Sequence, residues 1–430
     1  MNDAEVDERK RQLRIRRMIH GEERETRLNK DAADERSLPR VAQVVETLTM
    51  GGAENLAVRI ANGLAARGYE AHLVVVTGPG VLSDRVDSAV KLHYLGFERS
   101  SIRNPFAFVR SLFDGRRRLG GLLSKLNVHV AQTHLPGANF LGLLLTYGTG
   151  MRVVPTVHNN REFDYGDKDN PLLLRLRKWA YGAMISRCAG MVAVSRAVKA
   201  SLEAELGTSP VEAERIHVVT NGVSLPDPLP EHEVREIRAR YGIADGTVFA
   251  LSAGRLSEQK NFADLVRVAA LLRDRGCTVH FVVAGEGPLH DELETAISTV
   301  GLGSVVTLAG NVVDLERVMG AADVFVTTSL WEGLPLVLLE AMACGLPSVG
   351  FAIDGVVEIL SDGVQGRVVP AGDVVSMTDA LETVLTNADL RTTYGNASRE
   401  LVGNTYNFET LLDRLADVYA AVVGDGVEGS

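Results

Sequence analysis

The sequence predicts an α/β protein made of two doubly wound, Rossmann-like domains. Three observations carry this. From residue 38 onward, short β-rich runs alternate with longer helical patterns, which implies parallel sheets covered on both faces. The alternation breaks at Pro226, Pro228 and Pro230, three alternate prolines that fit neither a helix interior nor a central strand. Finally, 430 residues exceed what one typical core accommodates.

In chain order, the first domain (38–222) reads as strands at 41–46, 73–77, 128–132, 152–157 and 191–194. Helical patterns at 53–67, 105–124 and 171–188 lie between them. Residues 223–231 are the linker. The second domain (232–405) resumes with strands at 247–253, 278–284, 305–308 and 323–327, and helices at 261–275 and 288–300. Helix 407–422 lies in the terminal segment 406–430.

The bulk composition excludes several classes. Hydrophobic residues make up 46% and charged residues 23%, ordinary for a soluble globular chain. A net charge of −10 argues against a general nucleic-acid binder, which needs a basic face. Cys188, Cys277 and Cys344 follow no metal or redox spacing and read as small buried residues in a reducing cytoplasm. The amino terminus is charged rather than apolar, and the apolar run 141–145 is far too short to span a bilayer. A cytoplasmic protein is therefore expected.

The extension 1–37 stands apart. Arg9, Lys10, Arg11, Arg14, Arg16 and Arg17 are interleaved with Leu13, Ile15, Met18 and Ile19. One reading is a basic amphipathic helix at an anionic surface, giving peripheral contact with the inner membrane. The other is a solvated charged extension, since Asp7, Glu8, Glu22, Glu23 and Glu25 flank it.

The chemistry gathers at strand ends. After the buried run 324–327, Glu332 lies in a loop and Glu340 on the second turn of a helix that Pro335 opens and Gly345 stops. Ligands of doubly wound sheets bind at that edge, and a helix start offers free N–H groups to phosphate. Glutamates in such places also serve as solvated or dipole-complementing helix residues. The Gly333, Leu334 and Pro335 between them, and residues 342–347 after them, sharpen the functional reading.

Gly254 follows strand 247–253 and opens a loop bearing Arg255 and Lys260, two cations at the same edge. Fixed cations there would stabilise a leaving group that gains negative charge as its bond breaks. Gly51 and Gly52 leave amides open before a helix, which suits phosphate or a sugar hydroxyl. Glu54 beside them reads either as a site residue or as a helix-start carboxylate. His158 and, less clearly, His134 stand at strand ends, where doubly wound sheets bind ligands, and each also reads as a hydrogen-bonded structural histidine.

Other signatures fail. Gly285 and Gly287 begin a dinucleotide-like turn, but His290 stands at the third glycine position, which disfavours a dehydrogenase. The phosphate-loop pattern is missing, and no Asp-x-Asp stands out to hold a metal-bound donor. No metal or cofactor is expected, because Arg255, Lys260 and helix amides can do a metal's electrostatic work.

With seven residues between Glu332 and Glu340, and with the surrounding motifs, the sequence resembles the retaining, nucleotide-sugar-dependent glycosyltransferases of family four. These are also called group 1 glycosyltransferases. The resemblance covers most of residues 40–420 and is strongest from Gly254 to Pro347. It implies the GT-B fold, with the active site in a central cleft between the domains and the last helix crossing back to the first. It implies that Arg255 and Lys260, with Gly254, clamp the diphosphate. Glu340 would hold the donor ribose, Glu332 the donor-sugar hydroxyls, and Gly333 and Leu334 would contact the donor. Gly51 and Gly52 match a glycine loop of members that build surface polysaccharides, and His158 would lie by the donor sugar. Gly285 would shape the nucleotide pocket, with Gly310 and Val312 near the base.

The expected function is retaining transfer of a sugar from a nucleotide-diphosphate donor, a UDP-sugar by resemblance, to a glycan or lipid-linked acceptor. No obvious nucleophile emerges on the first domain, so front-face attack assisted by the leaving phosphate is expected. Two rivals remain. One is a sugar-nucleotide epimerase or hydrolase on the same fold. The other is a non-catalytic binding protein of polysaccharide assembly, whose hallmark would be loss of Lys260 or a signature glutamate; none is lost.

Overall fold

The computed structural model of the chain describes residues 38–97, 105–163 and 171–424. Two parallel sheets organise them. The first comprises β1 (Val41–Val45), β2 (Ala71–Val75), β3 (Lys91–Tyr94), β4 (Val130–His134), β5 (Arg152–Val157), β6 (Met191–Ala193) and β7 (Ile216–Val218), in the order β3-β2-β1-β4-β5-β6-β7. The second comprises β8 (Val248–Ala253), β9 (Val279–Ala284), β10 (Val306–Gly310), β11 (Val324–Thr327), β12 (Ser348–Phe351) and β13 (Gly366–Val369), in the order β10-β9-β8-β11-β12-β13. Strands β1, β2, β9 and β11 are buried along their whole length. Helices cover both faces of such sheets, so their strands read as continuous apolar runs rather than alternating ones.

On the first sheet, helices Pro105–Lys125, Leu135–Leu145, Pro171–Arg187 and Arg196–Leu206 share one core. Helices Gly52–Ala66 and Phe408–Gly424 pack into the core on the other face. The last helix thus returns from the second domain to the first. Its approach is close: a Cβ on Gly63 would lie 2.6 Å from Leu412 Cδ1, so a side chain there would push Leu412 aside.

The strand order reverses once in each sheet. β1 pairs with both β2 and β4, and β8 pairs with both β9 and β11. These two reversal points open crevices at the carboxyl ends of the strands, where doubly wound folds bind ligands.

Several expectations need correction. The strands expected at 73–77 and 128–132 lie at Ala71–Val75 and Val130–His134. Val41 fixes the register by facing both Ala71 and Val130. Val128, apolar though it is, closes the preceding helix, its N–H donating to the Leu123 carbonyl. β3 and β7 were not foreseen; β3 is a half-exposed edge strand of mixed polarity and β7 has only three residues. β12 and β13 contain Ser348, Gly350 and Gly366, which blur the β signal. Cys188 is buried, and burial pushes its thiol up to about 12, but Cys277 and Cys344 are only half-buried. The amphipathic reading of residues 9–19 lies outside the described residues.

Candidate active site

The second-domain half of the cleft starts where β8 ends. Gly254 takes a positive φ of 152°, and a Cβ there would come 2.8 Å from Lys260 Cε. Glycine therefore lets the Lys260 side chain fold back over its own loop. The neighbouring loops stack on this one through backbone. A Cβ on Gly285 would lie 1.9 Å from the Gly254 carbonyl oxygen. The Gly254 N–H donates to the Ala284 carbonyl (2.9 Å), the Leu256 N–H to Glu286 (3.0 Å) and the Gly285 N–H to Gly310 (2.7 Å). The loops after β8, β9 and β10 thus form one surface, with Val312 half-buried just beyond Gly310.

Lys260 Nζ is 2.5 Å from Glu332 Oε1, and both side chains are largely buried, at 17% and 10% exposure. This is a charge-assisted hydrogen bond inside the fold, and breaking it would strand a charge. Gln259 braces the pair from behind. Its side-chain amide donates to the Trp331 carbonyl (2.9 Å) and reaches Glu332 Oε2 (3.4 Å), while its backbone carbonyl accepts from the Leu330 N–H (2.8 Å). Thr328 Oγ1 donates to the Lys260 carbonyl (3.0 Å). The loops after β8 and β11 are therefore locked together across the reversal point. Arg255 is exposed on the same loop. An ammonium has three donors, so Lys260 can hold Glu332 and still serve a phosphate oxygen.

Helix Leu336–Ala343 begins after Pro335. Glu340 lies on its second turn, with Oε1 3.3 Å from Arg59 Nη1 of the first domain. Burial raises the Glu340 carboxyl above its usual range, and the Arg59 charge opposes that rise. The Arg59 guanidinium also lies over the Phe408 ring, 5.0 Å from its centre.

The first-domain half meets this surface closely. The His158 carbonyl presses on Gly333, where a Cβ would lie 2.0 Å from it. Asn221 donates to the Leu334 carbonyl (2.9 Å), and a Cβ on Gly52 would sit 3.7 Å from Leu336 Cδ1. Glu358 of the second domain accepts from the N–H groups of Arg196 (3.0 Å) and Ala197 (3.2 Å), the start of a first-domain helix. Glu54 folds back over the glycine loop. Its carboxylate accepts from Thr47 (3.3 Å) and Thr49 (3.2 Å) and fills the space above Gly51, where a Cβ would meet it at 2.1 Å.

Behind His158 runs a buried polar chain. His158 Nε2 and His134 Nδ1 are 3.1 Å apart, and His134 Nε2 is 2.7 Å from Gln43 Oε1. The Gln43 amide donates to the Tyr419 hydroxyl (3.1 Å), and Tyr419 donates to Gln132 Oε1. Gln132 in turn donates to Thr156 Oγ1 (2.8 Å). The direction of the chain assigns the tautomers. Gln43 Oε1 can only accept, so His134 carries its proton on Nε2 and accepts on Nδ1. His158 must then donate from Nε2, which leaves its Nδ1 as an acceptor. Burial favours the neutral rings, lowering His158 to about 4 and His134 well below its ordinary value, with His158 adding to the second effect.

The structure brings Gly254, Lys260, Glu332 and Gly333 together with His158, and Gly52 with the start of the Glu340 helix. Gly310 and Val312 lie farther out, at the end of β10, which β9 separates from β8. Sequence reasoning missed Arg59, Gln259 and Tyr419. Gln259 adjoins Lys260 and was within reach of motif reading. The other two act across the domain boundary and leave no local signal.

Comparison with known proteins agrees with this geometry. Residues 233–401 match the family described as Glycosyl transferases group 1, and residues 50–226 match Glycosyltransferase Family 4. The chain is 26% identical over 386 residues to the alpha-D-kanosaminyltransferase of Streptomyces kanamyceticus, covering 84% of this chain and 97% of that one. It is 26% identical over 349 residues to an Escherichia coli UDP-Gal:alpha-D-GlcNAc-diphosphoundecaprenol alpha-1,3-galactosyltransferase, covering 80% and 87%. Among solved structures, Anabaena HepE in complex with UDP-glucose superposes with a TM-score of 0.75 at 18% identity, covering 89% of this chain and 99% of that one. Sucrose-phosphate synthase from Thermosynechococcus elongatus superposes with a TM-score of 0.76 at 18% identity, covering 90% and 100%.

Proposed function

We propose that this chain, which belongs to the group 1 glycosyltransferases of the GT-B fold, transfers a sugar from a uridine-diphosphate donor with retention of configuration. The acceptor is a lipid-linked glycan. The observation that carries the reading is the Lys260–Glu332 pair at the β8/β11 reversal point, with the His158 carbonyl of the first domain packed on the adjoining Gly333.

As the glycosidic bond breaks, negative charge gathers on the diphosphate. Lys260, Arg255 and the free amides that begin helix Leu336–Ala343 oppose it. Glu332 accepts hydroxyls of the transferred sugar, and Glu340 accepts those of the ribose. His158 offers a neutral acceptor at Nδ1 to a sugar hydroxyl. Gly51, Gly52, Gly333 and Leu334 bring backbone close to the donor, while Gly285, Gly310 and Val312 border the base. The Glu54 carboxylate is already engaged by the hydroxyls of Thr47 and Thr49 rather than free as a nucleophile. This supports attack on the face the diphosphate leaves, with the departing phosphate oxygen taking the acceptor's proton.

The uridine donor and lipid-linked acceptor rest on the relatives. The Escherichia coli relative's name carries UDP-Gal and diphosphoundecaprenol, and the HepE structure holds UDP-glucose. Among the described residues no helix is long and apolar enough to cross a membrane. We place the reaction in the cytoplasm, beside the membrane that holds the acceptor. The 1–37, 38–222, 223–231, 232–405 and 406–430 division is our proposed domain plan.

The test is a panel of UDP-sugars with undecaprenyl-diphosphate-linked acceptors, the product anomer being read by NMR. One retained-configuration glycoside, formed even under exhaustive chelation, is expected. Free sugar in the presence of acceptor, or an interconverted nucleotide sugar, would instead establish a hydrolase or an epimerase.

A further inference from the structure

We propose that the outer face of helix Pro171–Arg187, on the first domain, docks on an anionic lipid bilayer. This deepens the proposed function and rests on its lipid-linked acceptor.

The inner side of the helix belongs to the core: Ala180, Tyr181, Met184 and Ile185 are buried. The outer side is apolar where water would be expected. Leu172, Leu176 and Trp179 are 65%, 53% and 60% exposed. Steps of four and three residues put them on one stripe. At about 100° per residue, exposed Arg175 and Arg187 border that stripe on opposite sides. The helix carries Arg175, Arg177, Lys178 and Arg187 and no carboxylate, within a chain of net charge −10. Three of these cations have partners: Arg177 donates to the Glu162 carbonyl (3.0 Å), Lys178 pairs with Glu205 (2.7 Å), and exposed Arg187 lies over the Tyr147 ring, 4.3 Å from its centre. Helix Pro105–Lys125, in the same layer, adds exposed Phe113 between exposed Arg110 and Arg117. Its Asp114 is already paired with Arg117 (3.3 Å) and Arg118 (2.8 Å).

The pattern selects its occupant. An acidic protein surface would match the arginines but leave Leu172, Leu176 and Trp179 against polar groups. A second copy of the chain, meeting through the same face, would bring like arginines together. A bilayer supplies both counterparts: anionic headgroups for arginines that snorkel, and the acyl boundary for leucine and tryptophan. Helix Pro171–Arg187 follows β5 and His158 in the chain. Docking there would hold the carboxyl edge of the first sheet near the membrane, where a lipid-linked acceptor enters.

The test uses the full chain with vesicles of phosphatidylcholine alone and of phosphatidylcholine mixed with phosphatidylglycerol. The chain has two tryptophans, so subtracting the spectrum of Trp179→Phe isolates Trp179. Its emission should shift to the blue with mixed vesicles only. Leu176→Glu should lower partitioning into mixed vesicles by about tenfold or more, because an inserted apolar chain becomes a charge. Trp179 emission unmoved by mixed vesicles would overturn the proposal. So would vesicle binding that survives Leu176→Glu and disappears only when residues 1–37 are removed. A concentration-dependent dimer abolished by Leu176→Glu, without vesicle binding, would give the face to a second copy. Donor turnover in detergent solution, measured on the same proteins, keeps the two proposals apart. Turnover without vesicle binding discards the surface alone, and absence of turnover discards the reaction.

Discussion

On the second-domain side of the cleft, charges stand close together: Lys260 lies 2.5 Å from Glu332, and Glu340 lies 3.3 Å from the incoming Arg59. On the first-domain side, His158, His134, Gln43, Tyr419 and Gln132 form a chain of neutral groups, each donating to the next. The contrast matches the two halves of a nucleotide sugar. The diphosphate carries charge and gains more in the reaction, so it needs fixed countercharges. Sugar hydroxyls stay neutral, and they are best sorted by donors and acceptors of set direction, held by burial and shared bonds.

The sharpest way to break this contrast is at Lys260. Lys260→Ala removes a charge-assisted contact worth about 1.5–3 kcal/mol and leaves Glu332 unpaired. It should cut kcat/KM for the donor by roughly ten- to a hundredfold. Unchanged transfer kinetics in the folded variant would remove Lys260 from the site.

The two glutamates divide the charged side further. Glu340→Gln should weaken binding of the free nucleoside diphosphate several-fold, because ribose and Arg59 both lose a charged partner. Glu332→Gln should slow transfer by about tenfold while nearly sparing that binding, since its sugar partner is absent from the diphosphate. Equal losses of diphosphate affinity in calorimetry would sink the division of roles.

The neutral side should respond more gently, and through pH. Tyr419→Phe leaves Gln43 without its acceptor and should lower kcat a few-fold with little change in KM, at a stability cost of about 1–3 kcal/mol. His158 is held at about 4, below the ordinary histidine value, and His134 is also lowered. The unfolded chain therefore takes up protons first as pH falls. The stability these rings contribute is full above about 6.5 and is lost progressively as pH falls toward 4. Melting temperatures across that window should fall more steeply for the parent than for His134→Asn, which lacks one of the two rings. The acid limb of the pH–rate profile should move upward in Tyr419→Phe. An unmoved limb would confine Tyr419 to a structural role.

Much of this was legible in the sequence, for a physical reason. Local features report local structure: alternating runs for the sheets, three prolines for the linker, and strand-end loops for Lys260 and Glu332. Parallel topology then brings the β8 and β11 loops together, so two separate motifs implied one site. Arg59 and Tyr419 were not legible. Their partners lie 281 and 376 residues away, at Glu340 and Gln43, and an arginine or tyrosine on an amphipathic helix carries no mark of a distant partner. Glu54, in the first turn of helix Gly52–Ala66, was ambiguous because its use depends on which partners its carboxylate meets. β12 and β13 were missed where serine and glycine sit for close backbone approach: a Cβ on Gly366 would lie 1.7 Å from the Ser348 carbonyl oxygen.

The division between a charged half and a neutral half is tested most directly by calorimetry of uridine diphosphate on two variants, Lys260→Ala and His158→Ala. The account predicts that Lys260→Ala weakens binding by about tenfold or more, from the lost ionic hydrogen bond. It predicts that His158→Ala binds the diphosphate like the parent while transferring sugar slowly. Full diphosphate affinity in Lys260→Ala, or an equal loss in His158→Ala, would contradict it.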